Sequence, residues 1–422
     1  MTTRREFLKN AALAAGSAAL LKRPGLAHAE AETVASSASN VPALSGRVVS
    51  VACRDMLAET KYNPAAVGRA FEAGMKELTG EKTAAAAWSS LFSPDDVVGI
   101  KINCLGAPRV SSSVESVNAV VAGLKSVGVR ENNIIVWDRM DREFARTGLA
   151  INKGTTGVRV MGTSTQGESL LPWVEGYDRD VFLSSEDGTL AKFKRLCRED
   201  YFQTASYREI FNSVTWLWML SRMGDERAKA YEPEMRRLYT AYDDRAGIKK
   251  IADDVAGRFE GVTIPDEDKS CFSEIVTKRI NKLVNLAVLK HNEDSGVTWA
   301  TKNIALGVTT NKVRFHIDFC AAAIPEILAH PCLRDKMILH VGEGAKISTV
   351  SVAGTHLALD NRIFFSRDPV AMDRIGLDIL EEKRREQGLE SIRSQAGHVA
   401  SCARKGLGTD DPARIDWRKL EA

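Results

Sequence analysis

The sequence predicts an α/β protein with two lobes of mostly parallel sheets flanked by helices, plus a largely helical insertion. Short β-branched runs alternate with helix-like segments over residues 46–175 and again over 276–422. This alternation is typical of parallel strands joined by helical crossovers. Residues 176–275 are charge-rich and contain few strand-like runs. A chain of 422 residues, 44% of them hydrophobic, has enough apolar material for a sizeable core.

The N-terminal lobe is predicted from three strands and two helix starts. It opens with 47-RVVSVAC-53, a β-branched run typical of a buried strand. The Asn-Pro pair at 63–64 predicts a helix, because proline favours the first helical position. The next strands are 95-DDVVGIKIN-103 and 133-NIIVWD-138, and the S-x-x-E pattern at 112–115 between them predicts a capping box.

The insertion is distinguished by its aromatic residues. Nine of the chain's 28 Phe, Trp and Tyr residues lie between Tyr201 and Tyr242. In 207-YREIFNSVTWLWMLSRM-223 the apolar residues recur at helical spacing. An aromatic face packed on a core explains this pattern, and so does a lid over a ligand.

The α/β rhythm returns in the last third of the chain. Apolar runs predict strands at Leu283–Leu289, Met337–Val341 and Arg362–Phe365. A helix is predicted from about Pro369 into Glu382. Asp368 directly precedes it, where its side chain suits the N-cap position.

Residues 1–29 are interpreted as a cleavable twin-arginine signal peptide, and residues 30–45 as a polar linker. The arginine pair at 4–5 stands just ahead of Phe-Leu-Lys, the apolar run 11-AALAAGSAALL-21 follows, and an A-x-A sequence ends the segment. We therefore expect the twin-arginine export machinery to act on the protein and its location to be periplasmic or secreted. An N-terminal amphipathic helix is the alternative.

The charge and hydropathy of the chain argue against a nucleic-acid partner and against a membrane span. Removing residues 1–29 takes away five of the 58 basic residues and one of the 55 acidic residues. The net charge of the remaining chain is then −1, which does not favour a nucleic-acid partner. No apolar stretch after the signal approaches 18 residues, so no membrane span is expected after cleavage.

The seven cysteines are widely spaced and form no Cys-x-x-Cys pair. This spacing argues against a zinc ribbon and against a ferredoxin-type cluster. We expect most of the cysteines to be small core residues. In an oxidising compartment some could pair, and the odd count would leave at least one thiol.

Polar residues at the ends of predicted strands indicate a ligand site. In doubly wound sheets, ligands bind beyond the carboxyl ends of the strands, so we expect these side chains to converge. Lys302 and Asn303 follow a turn at the end of one strand and open a helix-like run. The strand-end residues are Lys101, Asn103, Asp138, Lys290, His291 and Glu343.

These residue types suit a small anionic molecule held in a cleft between two lobes. In this hypothesis Asn303 orients the anion, and His291 with Asp138 or Glu343 acts as acid and base. The sequence contains no phosphate-loop, dinucleotide-binding or nucleophile-elbow motif. The residues that would hold the anion are Lys101, Asn103, Lys290 and Lys302.

A divalent metal is the alternative ligand. The candidate metal ligands are His291, His316, His340 and Glu343. The ligand pairs would be His316-x-Asp318 and His340-x-x-Glu343, and both spacings are weak signals. A structural histidine that makes a hydrogen bond explains each position as well.

Several sequence blocks resemble the family catalogued as domain of unknown function 362. They are 98-VGIKIN-103, 286-LAVLKH-291, 296-GVT-298, 302-KN-303, 366-SRDPVAMD-373 and 405-KGLGTDDPARI-415. The resemblance extends from about residue 47 to 420, apart from the insertion. The family commonly places one residue between lysine and histidine, whereas Lys290 and His291 are adjacent here, which leaves the role of His291 open.

The resemblance implies little about activity, and two functions remain as expectations. The first is an exported enzyme that acts on a small anionic molecule. The second is a non-catalytic metal or cofactor carrier that serves a periplasmic redox complex. The carrier hypothesis depends on the predicted export route, which carries proteins already folded.

Overall fold

The structure is a computed structural model that describes most of the chain. The described residues are 46–165, 173–184, 199–204, 231–240, 244–258, 268–318, 320–351 and 356–422, with single residues between 207 and 218 and at 266 and 354. The predicted signal peptide and linker lie outside them. Within the described residues, none of the helices combines the length and apolar character needed to cross a membrane.

The strands are numbered in chain order. Their bounds are β1 Arg47–Ala52, β2 Leu57–Ala58, β3 Lys61–Tyr62, β4 Val98–Lys101, β5 Ile134–Met140, β6 Arg159–Ser164, β7 Tyr177–Ser184, β8 Lys269–Ser273, β9 Lys282–Asn292, β10 Gly296–Thr298, β11 Met337–Ser348, β12 Leu357–Leu359, β13 Arg362–Ser366 and β14 Asp416–Glu421.

Most of these strands form one large sheet, which confirms the predicted α/β class. Its order is β14-β1-β13-β11-β9-β4-β5-β6, with β10 paired to β9 and β12 paired to β11. Strand β13 is antiparallel to both of its neighbours. The other neighbouring pairs along this order are parallel. Strands β2 and β3 form one small ribbon, and β7 and β8 form another.

Strands from both predicted lobes lie in the same sheet. Strand β4 pairs in parallel with β9, so that Lys101 lies opposite Asn285. Strand β1 lies between β13 and β14. The predicted cleft between two lobes is not present, because hydrogen bonds between β4 and β9 join the two halves in one sheet.

Helices cover both faces of the sheet. Helices α1 to α3 pack on one face, and α7, α8 and α10 pack on the other. The bounds are α1 Pro64–Thr79, α2 Ala84–Ser89, α3 Val114–Ser126, α4 Glu199–Thr204, α5 Glu232–Thr240, α6 Arg245–Arg258, α7 Ala300–Ala305, α8 Ala323–Ala329, α9 Pro331–Arg334, α10 Pro369–Glu386 and α11 Gly397–Arg404.

The chain divides into two compact units. The sheet belongs to a unit of residues 44–186 and 268–422, and the described part of 187–267 belongs to the other. In the second unit the helical residues Ile210, Phe211, Val214 and Trp218 are buried. Their burial confirms the apolar helix face that the spacing predicts.

Two predicted helix starts are confirmed by side-chain caps. Asn63 Oδ1 accepts a hydrogen bond from Ala65 N at 3.1 Å, at the start of α1. Asp368 Oδ1 accepts one from Val370 N at 3.0 Å, at the start of α10. The second oxygen of Asp368 accepts from Thr409 N at 3.1 Å, so this carboxylate also fixes the C-terminal segment.

The prediction that most cysteines are core residues is confirmed for the described residues. Cys197 lies outside them. The buried cysteines are Cys53, Cys104, Cys271, Cys320 and Cys402.

Candidate functional site

A pocket of about 170 Å³ lies where β4, β5 and β9 end. From β4 the chain continues to β5 and β6, whereas from β9 it continues in the opposite direction to β11. The crevice between β4 and β9 is therefore a topological switch point, the usual ligand position in an open α/β sheet. The predicted site residues that line the pocket are Lys101, Asn103, Asp138, Lys302, Asn303 and His316.

Lys101 and Asp138 form a buried ion pair in the pocket wall, with 2.7 Å between Lys101 Nζ and Asp138 Oδ1. The backbone N–H groups of Cys104 and Arg139 also donate to this carboxylate, at 2.7 and 2.9 Å. Burial alone would raise the pKa of Asp138, but the Lys101 and Arg139 charges lower it to about 2. Asp138 is thus an ionised anchor for Lys101 and a poor proton acceptor.

Arg139 and Lys302 add two more cationic groups to the lining. Arg139 Nε donates to Glu143 Oε2 at 3.2 Å. Burial alone would lower the pKa of Arg139, but the Glu143 and Asp138 charges raise it, so the guanidinium stays charged. Lys302 Nζ donates to Ser295 Oγ at 2.6 Å and also to Asn292.

Lys312 is the most informative group in the pocket. Its side chain is 7% exposed, and its Nζ has no hydrogen-bond partner among the described residues. Burial, followed by the Arg139 charge, lowers the pKa of Lys312 well below 10.5. The hydroxyl of Thr298, also in the lining, is buried and lacks a partner in the same part of the chain. A buried donor without an acceptor is costly, and the described residues supply no acceptor for either group.

His316 is the histidine that lines the pocket. Its Nδ1 donates to the carbonyl oxygen of Lys312 at 3.1 Å, which selects the tautomer protonated at Nδ1. Burial, followed by the Lys302 charge, lowers the pKa of His316 to about 4. The ring is therefore neutral near pH 7.

A chain of amide hydrogen bonds connects the pocket wall to the sheet interior. Asn103 Nδ2 donates to Asn303 Oδ1 at 2.9 Å, and Asn303 Nδ2 donates to Asn285 Oδ1 at 2.8 Å. Asn285 Nδ2 then lies 3.2 Å from His340 Nδ1. Burial lowers the pKa of His340 to about 3, so the neutral ring accepts this last bond. The chain fixes the orientation of Asn103 and Asn303.

Lys290 does not line the pocket but donates to the loop after β4, which borders the pocket. Its Nζ donates to Asn103 Oδ1 at 2.6 Å, to Val110 O at 3.1 Å and to Leu105 O. Burial lowers the pKa of Lys290 to about 7, while three acceptors around the nitrogen favour its charged form. The predicted role of Lys290 in holding the anion is corrected to one of fastening the loop after β4.

His291 lies apart from the predicted acid–base partners. Strand β9 continues to Asn292, so adjacent residues Lys290 and His291 point to opposite faces of the sheet. His291 Nδ1 donates to the carbonyl of Val350, and burial lowers its pKa. The structure therefore does not bring His291 into the lining with Asp138.

Glu343 also lies outside the lining, within β11 rather than after it. Its carboxylate accepts from Ser113 N at 3.2 Å and from Ser113 Oγ at 2.5 Å. Ser113, not the predicted Ser112, is the N-cap of α3. Glu343 thus accepts the N-cap N–H that a capping-box glutamate would accept. Burial raises the pKa of Glu343.

The four candidate metal ligands do not meet. His316 lines the pocket, His340 ends the amide chain, His291 contacts Val350, and Glu343 caps α3. In the described part of the chain, no group of three or more His, Cys, Asp or Glu residues is arranged to hold a metal.

The shape of the pocket depends on Gly307. A Cβ at this position would lie 2.4 Å from Lys101 Cε and 2.3 Å from the backbone oxygen of Asn303. The backbone oxygen cannot move away as a flexible side chain could. Glycine therefore allows the chain after α7 to pass close to the Lys101 ammonium.

Arg139, Lys312 and Asn285 are among the residues of the site that were not expected from the sequence. Arg139 directly follows a strand-end aspartate, so the strand-end argument would have included it. Lys312 opens the 3₁₀ helix Lys312–Asp318, and Asn285 lies within a strand, so neither carries that signal. A polar residue inside the apolar run of β9 is a signal that could have identified Asn285.

The fold and the site together define an open α/β protein with a small cationic pocket at the switch point of its sheet. The model of the family described as Domain of unknown function (DUF362) matches residues 236–378. This match includes the blocks around Lys290, Lys302 and Asp368, and it supports the resemblance over that range. Comparisons with curated proteins and with solved structures found no match.

Proposed function

We propose that the protein binds a small anionic molecule in the pocket between the ends of β4 and β9. The observation that carries this proposal is the buried Lys312 nitrogen, which has no hydrogen-bond partner among the described residues. A carboxylate or phosphate oxygen would supply the missing acceptor and the compensating charge.

The donor set favours an anion over a metal ion. Lys101, Arg139 and Lys302 are cationic and Lys312 is a further amine donor, whereas Asp138 is the carboxylate in the lining. Such a set repels a cation, because metal ligands are anionic or neutral donors of an electron pair. We therefore propose an anion site and not the metal carrier.

We further propose that the protein is an enzyme and that this anion is its substrate. His316 lines the pocket and is neutral near pH 7. It would replace His291 in any proton transfer at the bound molecule. A volume of about 170 Å³ suits a ligand much smaller than a dinucleotide.

Isothermal titration calorimetry at constant ionic strength tests the anion site. Phosphate, acetate and pyruvate serve as probes for the unsubstituted protein and for Lys312→Met and Lys302→Met. We expect at least one probe to bind and each substitution to weaken it about tenfold or more, because a charge-assisted hydrogen bond is lost.

Lys336→Met is the matched control, because Lys336 is a partly buried lysine that donates to Val276 O outside the lining. It should bind the same probe with unchanged affinity. If the unsubstituted protein binds none of the three anions, or if all three variants bind equally well, the anion site does not exist.

We also propose that the protein is exported by the twin-arginine route, from the Arg-Arg-x-Phe-Leu-Lys pattern at residues 4–9. Replacing both arginines by lysine keeps the charge and should leave the protein in the cytoplasmic fraction. The measurement is immunoblotting of periplasmic and cytoplasmic fractions. Unchanged export of the double variant would contradict this route.

A further inference from the structure

We infer that Lys312 is an amine nucleophile that forms an imine with a small 2-oxo carboxylic acid. This inference rests on the proposed anion site and specifies the substrate class of that site. The geometry that carries it is a lysine nitrogen in a pocket, nine-tenths buried and without a hydrogen-bond partner among the described residues. The other buried lysines of the site, Lys101, Lys290 and Lys302, all donate to acceptors within the protein.

The neighbours of Lys312 favour the neutral amine that such a reaction requires. A lysine that is desolvated or lies beside other cations is activated as a nucleophile, because both conditions disfavour its ammonium form. Burial, the Arg139 charge and the Lys101 charge all act on Lys312 in this direction, against the charges of Glu143 and Asp138.

The remaining groups of the pocket suit the carboxylate of the same substrate. Lys302 and Arg139 line the pocket and can hold an anion, while the carbonyl group next to the carboxylate reaches Lys312. A 2-oxo acid joins these two functions in a few non-hydrogen atoms. The pocket, of about 170 Å³, is small, as a ligand of that size requires.

The step balances without an oxidant or a reductant. The lone pair of Lys312 Nζ attacks the carbonyl carbon, and the carbonyl oxygen takes up a proton as the nitrogen loses one. A second proton then converts that hydroxyl into a leaving water molecule, and the nitrogen loses its remaining proton. The products are an imine between Lys312 and the substrate carbon, and one water molecule. His316, which lines the same pocket, would exchange protons with the leaving oxygen.

Borohydride trapping tests the inference on the full chain. The protein is incubated with pyruvate, reduced with sodium borohydride, digested and mapped by mass spectrometry. We expect the mass of one reduced pyruvate unit on the peptide that contains Lys312. Lys312→Arg retains a positive charge but cannot form the adduct, so it should bind acetate and show no trapped product. The control Lys336→Met should give the full yield.

The outcomes separate this inference from the anion site. Binding of pyruvate by calorimetry without any trapped adduct overturns the imine and leaves the anion site intact. An adduct whose yield is unchanged in Lys312→Arg also overturns it, because another amine has then reacted. Failure to bind any anion removes both proposals.

Discussion

At the scale of single residues, the site shows two buried lysines with opposite energetic roles. Lys290 donates to three oxygens and holds the loop that borders the pocket. Lys312 has no such partner among the described residues. The first stabilises the fold, whereas the second keeps a polar group buried at a cost, as is common for functional residues.

These roles predict opposite effects on stability. Lys312→Met keeps the apolar stem and removes an unsatisfied group, so the free energy of unfolding should rise by on the order of 1–3 kcal/mol. Lys290→Met removes the donor to three oxygens, of Asn103, Leu105 and Val110, and should lower it by about 2 kcal/mol. Equilibrium urea unfolding measures both variants. Destabilisation by Lys312→Met would show that the Lys312 nitrogen has a partner in the folded protein.

The residue scale also explains which of the predicted site residues lie together in the pocket. Lys101, Asn103 and Asp138 lie in the lining because parallel strands end at the same edge of the sheet. His291 was misplaced because β9 is longer than its apolar run, and side chains alternate between faces along a strand. Lys312 could not be found this way, since only the folded structure reveals its burial.

At the scale of elements, helix α7 carries Lys302 and Asn303 although it is only six residues long. Trp299, the residue before it, packs against Gly342 and Gly376, where a Cβ would lie 2.4 and 2.2 Å from the indole ring. Asp373 of α10 accepts from the backbone N–H groups of Ala300 and Thr301 at the start of α7. The position of α7 is thus set by tertiary contacts, because so short a helix is unstable alone.

Asp373 gives the anchoring of α7 a measurable pH dependence. It accepts from Ala300 N at 2.6 Å and from Thr301 N at 3.0 Å. Burial raises the pKa of Asp373 from 3.8 to about 7. Between these values the folded state binds more protons than the unfolded state, so stability falls as pH rises from about 4 to 7.

We expect Asp373→Asn, which resembles the protonated side chain, to lack this fall. The unfolding free energy of the unsubstituted protein relative to Asp373→Asn should therefore decrease between pH 4 and 7, by up to about 4 kcal/mol. Urea unfolding at a series of pH values measures the difference. A difference that increases with pH would contradict the raised pKa.

At the scale of the whole molecule, strand pairing brings together groups that are far apart in the chain. Asn103 and Asn303 are 200 residues apart and share a hydrogen bond of 2.9 Å. The α/β class follows from the local alternation of strands and helices. The single sheet does not, because the pairing of β4 with β9 depends on long-range hydrogen bonds that no local pattern encodes. The predicted cleft between lobes was wrong for that reason, whereas the strand-end residues Lys101, Asn103 and Asp138 do line one pocket.

The central claim is that Lys312 and its neighbours bind an anion at the switch point of this sheet. Crystals of the full chain soaked in selenate, with anomalous data collected at the selenium edge, test it most directly. We expect an anomalous peak in the pocket with a selenate oxygen about 2.7–3.2 Å from Lys312 Nζ. Selenate at surface lysines with none in this pocket would contradict the claim.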